Sequence, residues 1–312
     1  MNIQTLEGGK GLASRLYKQR YLILMLLPMV VWVIVFSYIP LWGWYMAFVD
    51  YKVNLGFFQQ QFVGLKYFKE LLTDTQFHNA FKNTLIMSSL GISICGFIMP
   101  ISFALLVNEV RKLRFKKFVQ TVSYLPHFVS WVVVSGIVIS VLSPGGGVVN
   151  EMLLKLRFIE QPINFLAMED YFYGIITMSE LWKELGWNSI IFMAAIAGID
   201  QELYEAADVD GAGRMRKIWN VTLPSIRPTI IIILIMSVGG LVSTGFEKQM
   251  LLSTPMTMDR AEVIDLYVLR YGIGLARFSF GTAVGIFKSV ISVALMLFTN
   301  QMAKKFADES LI

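Results

Sequence analysis

Long apolar runs alternate with short polar segments along the whole chain. Residues 21–49, 83–108, 118–150 and 228–246 contain no Asp, Glu, Lys or Arg. Residues 171–199 are broken only by Glu180, Lys183 and Glu184, and residues 278–303 only by Lys288. A membrane-crossing helix needs about 20 mostly apolar residues, so the pattern predicts an all-α integral membrane protein with six spans. The third run ends in "SPGGGVVN", which reads as a loop. Pro28 and Pro100 fall inside predicted spans and should kink or loosen them.

Composition agrees with this reading. Of 312 residues, 55% are hydrophobic and 16% charged, against roughly 25% charged in soluble domains. Mean hydropathy is +0.60. The lone cysteine, Cys95, lies in an apolar run and excludes an internal disulfide framework. Net charge is +5, but the basic residues sit in short loops rather than on a nucleic-acid-binding domain. Lys10, Arg15, Lys18 and Arg20, the "RKLRFKK" loop, Arg214, Arg216, Lys217 and Arg227, and Lys304 and Lys305 all fall on one predicted side. Basic density there is about twofold that of the opposite loops, which places both termini in the cytoplasm. The expected division is a cytoplasmic tail over 1–20, one six-span membrane domain over 21–303 and a second tail over 304–312. The first run is too long for a cleavable signal peptide.

The polar segment between the fourth and fifth runs is "DQELYEAADVDGAGRMRKIWNVTLPSIRP". Asp200 is placed to cap a short helix that Gly211 ends, and Gly213 permits a second turn. Residues 214–223 read as a second short helix with Met215, Ile218 and Trp219 on one face, stopped by Pro224, and Pro228 opens the fifth span. Glu205, Ala206, Ala207, Asp210, Gly211, Gly213, Leu223 and Pro224 make up this helix–Gly–helix projection over about 200–227. The segment resembles the E-A-A-x3-G-x9-I-x-L-P signature of ATP-binding-cassette importer permeases. Val221 stands where the usual Ile would be. "FVGLKYFKELL", "YLPHFVSWVVVSGIV", "ELWKELGWNSIIFMAAIAGIDQELYEAA" and "FSFGTAVGIFKSVIS" resemble the polysaccharide-type sugar permeases of the carbohydrate-uptake branch.

The resemblance implies a type I importer fold in a bacterial cytoplasmic membrane. It implies a second, homologous permease, two cytoplasmic ATP-binding subunits and an extracellular solute-binding lipoprotein. The cargo would be an oligosaccharide or polysaccharide fragment, or alternatively glycerol phosphate or another small polar solute. It assigns residues 202–217 to docking on the ATPase, with Glu205 meeting a basic residue there. No cofactor is expected in this chain. "GTAVGIFKS" lacks the Gly directly before Lys that a phosphate-binding loop needs, so ATP and Mg would be held by the partner ATPase.

Charges within a membrane usually face a cavity or a partner. Glu180, Lys183 and Glu184 share one helix face at i, i+3 and i+4 spacing, and Glu180 and Lys288 each fall about 14 Å into their runs. The expectation is a polar substrate path formed by Ser179, Glu180, Trp182, Lys183, Glu184, Trp187, Asn188 and Lys288, with Lys288 paired to Glu180 or Glu184. A structural Lys183–glutamate salt bridge is the competing reading. His127 reads as a helix-end residue and His78 as a solvated loop residue. Two distant histidines and one cysteine make no metal site. An intramembrane enzyme using these acids and bases would need a nucleophile or metal constellation, and the sequence offers none. Gly239, Gly240 and Gly245, with Ser243 and Thr244, indicate close packing or local unwinding at the end of the fifth span.

Overall fold

The computed structural model describes residues 19–307. The tails that carry Lys10, Arg15 and Lys18 and residues 308–312 lie outside them. The described chain is helical apart from loops and a two-residue antiparallel ladder pairing Val49 with Phe62 and Asp50 with Gln61.

Among the described residues, four helices are long and apolar enough to cross a membrane: Arg20–Phe48, Thr75–Asn108, Arg214–Gly239 and Phe278–Lys305. The predicted third span is broken. Leu113–Phe128 and Trp131–Leu142 meet the length and composition requirement only together, and they are bent by 102°. The break follows from "YLPHFVS". Pro126 opens a tight turn over Leu125–Phe128, Val129 is extended, and Ser130 restarts the helix by accepting from the Val133 N–H at 3.4 Å. The predicted fourth span is the continuous 29-residue helix Glu169–Ala197, about 43 Å long at 1.5 Å per residue. Its three central charges keep it outside the apolar class.

Prolines shape the other spans in a way the sequence reading misjudges. Pro224 does not stop a short helix and Pro228 does not open the span, because Arg214–Gly239 runs through both. A wide π turn over Ile218–Thr222 ends two residues before Pro224. The same arrangement recurs: Ile34–Tyr38 precedes Pro40, and Gly91–Ile98 precedes Pro100. A proline lacks an N–H and its ring crowds the carbonyl of residue i−4. A local shift to i→i+5 bonding relieves that crowding while the helix continues. Pro28 lies inside Arg20–Val33 with no such turn next to it. The fifth span ends at Gly239, earlier than 246, and the glycines open a turn before the short helix Glu247–Leu252.

Packing is concentrated in three apolar clusters. One joins Ala47, Leu71, Phe77, Tyr267, Phe280 and Val284. A second joins Met87, Phe172, Ile176, Leu252, Val263 and Leu266. A third, around Ala104, Phe192, Ile196 and Ile226, ties together three helices next to the polar 200–227 segment. The most apolar window of Arg20–Phe48 buries nothing against the rest of the chain, and Met25 and Trp42 are more than two-thirds exposed. Such a surface requires lipid or another apolar chain around it.

Candidate functional site: a charged helix, its cavity and the 200–227 loop

The 200–227 loop carries a short helix, Gln201–Val209. Asp200 caps it by accepting the Glu202 N–H at 3.0 Å. Its far end closes with two overlapping bonds, Ala212 N–H to the Ala207 carbonyl at 2.9 Å and Gly211 N–H to the Asp208 carbonyl at 3.0 Å. Gly211 sits at φ +71°, where a Cβ is strained. Glu205, Ala206 and Asp210 are exposed, Ala207 is half-buried, and Gly213 is exposed at the start of Arg214–Gly239. The helix is tied to that span at two points. Tyr204 Oη and Thr222 Oγ1 lie 2.9 Å apart, and Lys217 Nζ lies 2.5 Å from Asp208 Oδ1. Leu223 and Pro224 continue the span just beyond the π turn. Met215 and Trp219 face outward, uncovered by this chain.

Inside the body, the charged helix meets the broken span. Lys183 is buried; its Nζ donates to the His127 carbonyl at 2.6 Å and to Glu184 Oε1 at 2.9 Å. Glu184 Oε2 lies 2.7 Å from His127 Nδ1. The His127 ring stacks on Trp187 at 4.1 Å with 2° between planes. Glu180 turns away from Lys183 and accepts from Lys248 at 2.7 Å. Both ammonium groups lie 5.8 Å from the Trp131 ring centroid, within cation–π range. His127 thus ends its helical turn as predicted, but takes part in the charge cluster. His78 lies in the helix Thr75–Leu90 rather than in a loop.

This cluster borders a cavity of about 870 Å³ between the charged helix, Thr75–Asn108 and Arg214–Gly239. Glu180, Trp187 and Asn188 line it. Cys95 also lines it, with its thiol directed to the Thr177 carbonyl at 3.5 Å. Ser179 and Trp182 line a separate apolar cavity of about 570 Å³ beside Trp131–Leu142. The expected pairing of Lys288 with Glu180 or Glu184 is overturned, because Lys288 pairs with Asp265. Asp265 also accepts the Gly245 N–H at 2.8 Å. Lys288 therefore anchors the segment after the fifth span to the sixth and stands apart from the Glu180 cavity.

Sequence reasoning missed Lys248, Trp131 and Asp265. Lys248 follows an apparent span end, where a lysine reads as a solvated loop charge. Its burial comes from the glycine turn that folds Glu247–Leu252 back against Trp131–Leu142. The segment 248–278 is built into the body, with Val263, Ile264 and Tyr267 fully or almost fully buried. Nearby loop-side groups respond to that burial. Burial and the adjacent Asp50 push the Tyr67 hydroxyl up to about 12. Burial pulls the Asp74 carboxyl upward, but hydrogen bonds from Tyr267 and from the Phe77 and Gln76 N–H groups bring it below its ordinary value. Burial raises Glu262 despite its contact with Arg270 at 2.7 Å.

Residues 93–308 match the family model described as binding-protein-dependent transport system inner membrane component. The chain belongs to this family. This inner membrane component is a transport permease and not an enzyme. It is 42% identical over 305 residues, 98% of its own length and 94% of its relative's, to the polygalacturonan/rhamnogalacturonan transport system permease protein YteP of Bacillus subtilis (strain 168). It superposes with a TM-score of 0.86 and 40% identity on a bacterial ABC transporter involved in the import of the acidic polysaccharide alginate, covering 95% of the permease and 99% of that chain. For the bacterial alginate ABC transporter in complex with an alginate pentasaccharide-bound periplasmic protein, the TM-score is 0.87 at 40% identity, with 97% and 100% covered.

Proposed function

We propose that this permease is one membrane half of an ATP-driven importer for an oligosaccharide or polysaccharide fragment. A second, homologous permease completes the path. Two cytoplasmic ATP-binding subunits, which hold ATP and Mg, drive it, and an extracellular solute-binding lipoprotein delivers the cargo. The chain forms one domain of six spans, counting the bent pair and the charged helix, with both termini cytoplasmic. The observation that carries the reading is the 200–227 loop. It presents the exposed face of Glu205 and Ala206 on a capped helix joined to the fifth span by Tyr204–Thr222 and Lys217–Asp208. A short helix rigidly attached to a span can turn the closing of an ATPase dimer into a movement of the membrane body. The cavity sets Trp187 beside Glu180, Asn188 and Lys248 on an otherwise largely aliphatic wall, an aromatic platform next to polar groups that can hold a saccharide. The polysaccharide transport proteins that match this chain over nearly its whole length favour a saccharide over glycerol phosphate.

Coexpression with the cognate ATPase and second permease tests this. A stable complex that takes up saccharide from its loaded binding protein, and loses the ATPase on Glu205→Lys, is the expected result. A chain that moves solute without any ATPase would overturn it.

A further inference from the structure

The large cavity is not the only space against Glu180. A second cavity of about 310 Å³ lies next to it, lined by Trp131, Glu184 and residues 244–248. Three residues, Glu180, Thr244 and Lys248, line both. The Glu180–Lys248 ion pair therefore stands in the wall between two chambers.

We propose that this pair is a charge-operated partition, and that Lys248 selects saccharides bearing a carboxylate. The proposal rests on the saccharide reading above and deepens it. A neutral sugar offers nothing to exchange with a salt bridge. A uronate carboxylate has the same chemistry as the Glu180 side chain, so it can take Glu180's place on the Lys248 ammonium without leaving that buried cation unpaired. The two partners are unequally buried. The Lys248 side chain is 10% exposed and the Glu180 side chain 23%. When Lys248 turns to the saccharide, Glu180 stays on the cavity wall as the more exposed partner, which lowers the cost of leaving its charge unpaired. Glu180 then competes for the ammonium and shortens the stay of the bound carboxylate, as a transport site requires.

One further feature of the large cavity points to a saccharide. Trp187 stacks on His127 with one face and is 43% exposed, which leaves a platform for a sugar ring.

The test is direct titration of the assembled transporter in nanodiscs, without its binding protein, so that only the membrane site selects. The probes are trigalacturonate and its carboxyl-reduced neutral counterpart. The wild-type complex is expected to bind the acidic probe at least about fivefold more tightly, a difference readily resolved by titration. Lys248→Met should abolish the preference, Lys248→Arg should keep it, and Glu180→Gln should enlarge it by removing the competitor. Equal binding of both probes by the wild type, or a preference that survives Lys248→Met, overturns the proposal. If Lys248→Met does not assemble, an acidic preference unchanged by Glu180→Gln overturns it as well. Binding of neither probe by a complex that still hydrolyses ATP overturns the proposed membrane site, while uptake from the loaded binding protein decides the saccharide reading separately.

Discussion

Single residues decide how closely the elements approach. Gly186, on the charged helix, packs on the Ser123 backbone so tightly that a Cβ there would stand 2.1 Å from the Ser123 carbonyl oxygen. Nothing flexible can yield, because the obstacle is backbone. Gly186→Ala is expected to part the two helices and to cost at least about 1–3 kcal/mol, the range for overpacked cores. An unchanged melting temperature of the purified complex would refute the close approach. Tyr267 donates to Asp74 Oδ2 at 2.6 Å, and Asp74 accepts the Gln76 and Phe77 N–H groups at 2.8 and 3.2 Å as the cap of its helix. Tyr267→Phe should cost about 1.5–3 kcal/mol, as for a hydrogen bond to a charged group. The pH dependence has a definite sign. Asp74 has a depressed pKa, so its contribution is present above the unfolded value near 4 and lost as pH falls through the lower folded value. The penalty of Tyr267→Phe should therefore be full at neutral pH and shrink below about pH 4. Melting curves across that range check it, and a penalty that grows on acidification contradicts the assignment.

At the scale of elements, the apolar runs read directly from the sequence because a lipid-facing helix shows its length and composition residue by residue. The cap at Asp200 and the stop at Gly211 were legible for the same reason: both are local. The bent third span and the proline-linked π turns were not. A run such as 118–150 has the same composition straight or folded back on itself, and only its packing against Glu169–Ala197 decides. Pro224 looked like a stop because an unrelieved proline is one, whereas the π turn at Ile218–Thr222 absorbs it. That turn also sets a prediction. Thr222, its last residue, lies 2.9 Å from the Tyr204 hydroxyl of the proposed coupling helix Gln201–Val209. Tyr204→Phe should loosen the joint without touching the exposed Glu205 face. The ATPase should still copurify, while uptake per ATP hydrolysed falls several-fold. Loss of the ATPase from the complex would show that Tyr204 belongs to the docking surface instead.

For the whole molecule, the sequence carried the charges of the site but not their partners. Glu180 and Lys248 are 68 residues apart, and Lys288 on the sixth span pairs with Asp265, 23 residues earlier in the segment before that span. Nothing local distinguishes Asp265 from Glu180 as the partner of Lys288, so the pairing waits on the fold. Orientation in the membrane is a property at this same scale, set by basic loops acting together. Cys95 is the only cysteine and is 2% exposed, so a Cys95→Ser background is silent to thiol reagents at the surface. Asp210→Cys in the coupling loop and Gln161→Cys in the loop before the charged helix place one thiol on each proposed face, at positions exposed in the structure. In right-side-out vesicles a membrane-impermeant maleimide should label Cys at 161 and spare Cys at 210, and inverted vesicles should give the opposite pattern. If the ATPase docks on this helix as proposed, it should protect position 210 in inverted vesicles. Labelling of both positions from the same side would break the proposed topology, and with it the proposed coupling of ATP-driven closure to the membrane body.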